Sequence, residues 1–172
     1  MLLQRPIFNS MIYDQDLIRK DPSIKYLAKQ FKAKEEVIFV CYKEEARGII
    51  VKRWKYFLKL RGKKPLNKTD ILYFFKHDTL EAVKQHVEID EDVVEEKLKP
   101  AHNKEERLQI PDEVLQKCFD EKRMITVTMR NGHVLNGRIF SYGIFSIRLQ
   151  IDKRNRVVLF RHGVYDLDYR KK

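Results

Sequence analysis

The chain has 172 residues, 43% of them hydrophobic and 35% charged, and its 36 Lys and Arg outnumber 25 Asp and Glu to leave a formal net charge of +11. That length allows one ordinary domain or two very small ones, while the charge and a pI near 9.6 suit a polyanionic partner such as nucleic acid. The two cysteines, Cys41 and Cys118, form no CxxC pair, which argues against a disulfide scaffold or zinc site and fits a reduced, cytoplasmic setting.

Residues 1–20 form an N-terminal extension. Arg5, Asn9 and Asp14 interrupt its apolar residues, so no signal peptide is expected, and Phe8, Ile12 and Tyr13 are candidates for packing on a neighbour. No later stretch reaches the length of a membrane span. Asp21 and Pro22 suit a helix start, and residues 23–31 place Ile24, Leu27 and Phe31 on one stripe. Residues 37–41, 48–51, 56–60 and 71–75 are apolar runs of strand length. Residues 79–83, after Lys76 and His77, are read as a fifth strand. Gly62, Pro65 and Asn67 mark residues 61–70 as a loop. These elements define a first unit, residues 21–86.

Residues 87–106 carry 8 acidic and 3 basic side chains between blocks of 19 basic to 10 acidic (1–86) and 14 basic to 7 acidic (107–172). The acidic stretch is either a flexible tether or a short helix over 89–98, and is taken as a linker. Beyond it, Pro111 and Asp112 open a helix over 112–123 with Val114, Leu115, Cys118 and Phe119 at helical spacing. Residues 125–129 alternate, Asn131 and Gly132 supply a tight turn, and 134–149 continue as strand through Gly137. Two short strands follow at 157–160 and 164–167, reversed at Gly163. This second unit spans 107–172.

The order of elements repeats. Gly48 matches Gly137, and residues 56–60 match 145–149, at an offset of 89; Phe75, Lys76 and His77 match Phe160, Arg161 and His162 at an offset of 85. Four extra residues therefore fall in the 61–70 loop, where insertions are tolerated.

The second unit resembles Hfq, the bacterial branch of the Sm-like RNA-binding proteins. The resemblance rests on residues 127–132 (Val-Thr-Met-Arg-Asn-Gly), 135–139 (Leu-Asn-Gly-Arg-Ile), 141–145 (Ser-Tyr-Gly-Ile-Phe) and 160–163 (Phe-Arg-His-Gly), in that order behind a helix. The first unit keeps Gly48, Tyr56 and the Phe75, Lys76, His77 run, but Lys43, Glu44 and Glu45 replace the Asn-Gly turn. The resemblance implies a mainly β protein with short N-terminal helices: two tandem Sm-like modules, each a helix plus a strongly bent five-stranded antiparallel sheet. Glycine at 48 and 137 suits such a bend, because it removes a side chain from a crowded corner. Exposed edges of the sheet invite pairing between chains, so the expected assembly is a homotrimer forming a pseudo-hexameric ring, with a ring of six chains as the other possibility.

By the same resemblance, Phe145 stacks a uridine-like base while Arg161 and His162 contact RNA, with Tyr56, Lys76 and His77 as their counterparts in the first unit. On the residues alone, Phe145 reads equally well as a core aromatic. Thr128 departs from the aromatic that the family uses on its purine-binding face; Phe39, at the matching place in the first unit, is a stacking surface or core. Lys117, Lys122 and Arg123 form either a basic rim or a solvated helix face. No P-loop, GxSxG or HExxH motif is present, and His77, His86, His102, His133 and His162 lack helical metal spacing. No catalysis, metal or cofactor is expected. The expected function is binding of single-stranded, U-rich RNA, a small regulatory RNA or mRNA, as an RNA chaperone in post-transcriptional regulation. The alternative is an Sm-like protein-interaction scaffold.

Overall fold

The computed structural model describes residues 15–170; Phe8, Ile12 and Tyr13 lie outside them. Two helices lead, α1 (Gln15–Lys20) and α2 (Pro22–Ala33). The Asp21 carboxylate accepts from the Ser23 N–H to cap α2, Pro22 occupies its first turn, and Lys34 closes it at φ 52°, an ordered start and stop. Next come β1 (Glu36–Cys41), β2 (Glu45–Arg53), β3 (Phe57–Leu60), β4 (Leu66–Asn67), β5 (Ile71–Lys76), α3 (Leu80–His86), β6 (Val87–Ile89) and α4 (Glu91–Glu95). The remainder is α5 (Asp112–Asp120), β7 (Met124–Met129), β8 (His133–Tyr142), β9 (Ser146–Gln150), β10 (Arg156–Phe160) and β11 (Val164–Asp168).

The protein is mainly β. All eleven strands join one antiparallel sheet, ordered β11-β7-β8-β9-β10-β5-β1-β2-β3-β4, with β6 added to β8. One strand path occurs twice: the last strand of each half pairs with its first (β5 with β1, β11 with β7), and the second, third and fourth strands follow. The registers repeat too. Val37 faces Gly48 as Ile125 faces Gly137, and Ile50 faces Leu60 as Ile139 faces Leu149, with a bulge after Ile50 and after Ile139. The 89-residue offset thus recurs in the pairing of the second and third strands, while the first strands, β1 and β7, match at 88, which sets Phe39 against Val127 rather than Thr128.

The 85-residue offset does not. Phe160, Arg161 and His162 leave the fourth strand of their half, β10, whereas Phe75, Lys76 and His77 leave the fifth, β5. Residues 79–83, expected as a strand, instead run from a 3-10 turn into α3. The reason is that residues 71–75 are buried throughout and pair on both sides, with β1 and with β10, leaving no sheet edge for a further strand. The fourth strand of the first half is the two-residue β4 inside the segment read as a loop.

Two apolar clusters flank the sheet. β1, β5 and β10 supply both: Ile38, Tyr73 and Leu159 to one, Phe39, Phe74 and Val158 to the other. Phe39 is fully buried, 5.5 Å from the Phe74 ring, and so is core. On α2 the buried face is Ser23, Tyr26, Leu27 and Gln30; Phe31 turns outward beneath Arg53. α5 is shorter than expected, burying Leu115 and Cys118 and leaving Phe119 exposed against Tyr142.

The acidic segment is a structured strap rather than a tether. β6 pairs with β8 at Leu135, Val134 and His133, where β9, which covers residues 138–142 of β8, leaves that edge open. Val93 and Ala101 are buried beneath it. The Arg130 guanidinium donates to the Lys99 and Glu106 carbonyls and to the Tyr42 hydroxyl, tying the strap down. No helix among the described residues is long and apolar enough to cross a membrane.

Candidate nucleic-acid interface

Phe145 sits in the turn between β8 and β9, held by its backbone. Its N–H donates to the Asp21 Oδ2 at 2.8 Å and its carbonyl accepts from the Arg161 N–H at 2.8 Å. Asp21 is fully buried and takes five donors: the N–H and Oγ–H of Ser23, the N–H groups of Phe145 and Ser146, and the Ser146 hydroxyl, at 2.6–3.1 Å. A charged acceptor surrounded by fixed donors is a strong local tie, and this one joins the start of α2 to a turn of the other half.

Arg161 clamps the same turn. Its guanidinium donates to the Gly143 carbonyl (2.9 Å), the Ile110 carbonyl (2.6 Å) and the Asp112 carboxylate (3.0 Å), which pins the start of α5. His162 stacks on Phe160 with ring centroids 5.0 Å apart and shares a 2.9 Å hydrogen bond between Nε2 and the Ile71 carbonyl. Burial holds its pKa down at about 4, so the ring is neutral at pH 7 and Nε2 is the donor.

Lys76 and His77 lie elsewhere. Lys76 pairs with Glu35 at 2.7 Å, and His77 is exposed. His162 meets the beginning of β5 and His77 follows its end, so the six-residue strand puts roughly 20 Å between the two histidines. The structure sets the turn of Phe145 against that of Arg161 and His162 through the Arg161 N–H, but places Lys76 and His77 at the far end of β5.

Tyr56 is 61% exposed in the β2–β3 turn, and its neighbours extend the feature. Trp54 (41%) and Phe57 (43%) are also exposed. Lys52 Nζ lies 5.1 Å from the Trp54 ring centroid, Lys55 Nζ 5.0 Å from that of Tyr56, and Arg53 packs over Phe31 at 5.1 Å. Among the described residues none of these three cations pairs with a carboxylate. Beneath the hairpin, Lys68 is held below its usual pKa by burial and then by the Arg53 charge. Sequence reasoning singled out Tyr56 alone, although the alternation of cations and aromatics across residues 52–57 was visible in the chain.

The expected basic rim takes a different character. Lys117 borders a shallow depression of about 510 Å³ that also receives Asp112, Glu113, Asp120 and Glu121. Arg123 contacts Glu121 and donates to the Tyr169 carbonyl, while Lys122 is exposed at the end of α5. This face is acidic. The two cysteines are free and buried, in separate clusters. No family model matches the sequence, and no curated protein matches it.

Proposed function

We propose that this chain is a non-enzymatic RNA-binding protein made of two Sm-like modules, and that it binds single-stranded RNA, U-rich as the resemblance implies. The observation that carries the reading is the β2–β3 hairpin, where Trp54, Tyr56 and Phe57 stand exposed beside Lys52, Arg53 and Lys55. Aromatic faces that stack bases, interleaved with cations that follow phosphates, are the two components of single-strand recognition. Support for Sm-like modules comes from the strand path and from a register repeated at offsets of 88 and 89. The ring reading draws on the join of β5 to β10: among the described residues the unpaired edges are β4 and β11, the remaining fourth and fifth strands, and the same type of join between chains would run head to tail.

Fluorescence anisotropy with a labelled oligouridylate tests the proposal. Trp54→Ala combined with Tyr56→Ala weakens RNA binding by roughly ten- to a hundredfold, as expected for loss of base stacking, while heparin affinity changes far less. Lys117→Ala with Lys122→Ala leaves RNA binding nearly unchanged. Equal losses for heparin and RNA would overturn the stacking site; a chain that does not bind RNA at low salt would favour the scaffold.

A further inference from the structure

A second site lies where the two halves meet. Between α2 and the strands β8–β10 runs a groove of about 660 Å³, within the range of small-ligand sites. Seven cationic side chains line it against one carboxylate, Asp78. Its floor is built by the bulge after Ile139, which leaves Phe140 unpaired and turns its ring outward, as bulges do. Arg156 lies 3.6 Å and Arg148 5.2 Å from that ring centroid, and Arg148 also lies 5.4 Å from Tyr26. Neither arginine pairs with a carboxylate among the described residues. Burial, then the neighbouring charge of Arg156, holds Arg148 below the usual arginine pKa.

The polar atoms point the same way. Among the described residues, the buried side-chain nitrogens and oxygens without a hydrogen-bond partner are Nε2 and Oε1 of Gln30 and the Nε atoms of Arg148 and Arg156, and all three residues line this groove. Gln30 is 1% exposed on α2. Buried polar groups are nearly always satisfied, and an unsatisfied set converging on one cavity calls for a ligand that answers it.

We infer that this groove binds a nucleoside phosphate, its phosphate held by Arg148, Arg156 and Lys29 and its base edge by the Gln30 amide. Unpaired guanidiniums ranked on an aromatic ledge suit a phosphate. An amide that offers both a donor and an acceptor suits the edge of a base, which presents both, better than it suits a bare anion. The ligand is either a free nucleotide or the phosphorylated end of an RNA chain. The site is separate from the β2–β3 hairpin.

Isothermal titration of the full chain with UMP, AMP and inorganic phosphate tests the inference. A nucleoside monophosphate binds more tightly than inorganic phosphate. Gln30→Leu, which removes an unsatisfied amide and so leaves thermal stability unchanged or raised, lowers nucleotide affinity by about tenfold or more with little effect on phosphate. Arg156→Met weakens both ligands. Trp54→Ala with Tyr56→Ala weakens oligouridylate but leaves UMP binding intact, so the two sites succeed or fail separately. Displacement of UMP by hexauridylate only when it carries a 5′-phosphate assigns the RNA end; no displacement by either form assigns the free nucleotide. Nucleotide affinity no greater than that of phosphate, or a Gln30→Leu chain that binds UMP as wild type does, overturns the proposal.

Discussion

His162 is a neutral donor in the folded chain, its pKa held by burial at about 4 against the ordinary 6.5. Between those values the unfolded chain binds a proton that the folded chain refuses, so stability falls as the pH drops through this window and is fully present above it. The effect amounts to at most roughly 3 kcal/mol. His133, lowered by burial beside the Tyr73 hydroxyl, acts in the same direction. Urea denaturation at pH 7 and pH 4.5 should show the loss, and His162→Gln, which keeps a donor for the Ile71 carbonyl, should reduce it; an unchanged slope would contradict the assignment. At neutral pH such a ring has no charge to offer a phosphate.

The two glycines at matching positions also differ. A Cβ on Gly137 would fall 2.4 Å from the Gln150 carbonyl oxygen, whereas on Gly48 its nearest neighbour is the Leu60 Cβ at 3.3 Å. Gly137→Ala therefore costs about 3 kcal/mol or more and Gly48→Ala about 1 kcal/mol or less, measurable as midpoint shifts in urea. That glycine belonged at both places was legible from the bend; which one is sterically compelled depended on how closely the strands approach.

At the scale of elements, α2 illustrates what one side chain can arrange. Its start was readable from Asp21 and Pro22, and the cap formed as expected. The second task of Asp21, accepting from Phe145 and Ser146 as well, was not readable, because these partners lie more than 120 positions away in the chain. Asp21→Asn keeps the size but turns an amide donor toward donors. It should lower stability by about 2–4 kcal/mol, seen as a melting temperature reduced by roughly 5–15 °C. A loss no larger than that of an ordinary helix cap would mean the tie to the β8–β9 turn carries no weight. The fifth strand of the first half was misplaced for a related reason: residues 71–75 are apolar enough for either position, and only their two neighbours, β1 and β10, decide between them.

At the scale of the whole molecule, β5 and β10 join the halves into one sheet, and both apolar clusters contain side chains from each half. The outer edges are unequal: β4 has two residues and β11 five. Unpaired edges favour strand addition, and heterologous edges close rings when the rotation permits. Mass photometry should find a species of three chains at micromolar concentration. A chain that stays monomeric at micromolar concentration would refute the ring.

Local signals in the chain were enough for the mainly β class, the starts of α2 and α5 and the Asn131-Gly132 turn. Each depends on near neighbours: a cap, a turn residue, alternation along a strand. Only the tertiary structure decided that the acidic segment straps β8, that Arg161 and His162 serve packing partners, and that Gln30, Arg148 and Arg156 share one groove. These are meetings between distant segments, where burial and the pairing of polar groups, rather than local preference, determine what each side chain touches.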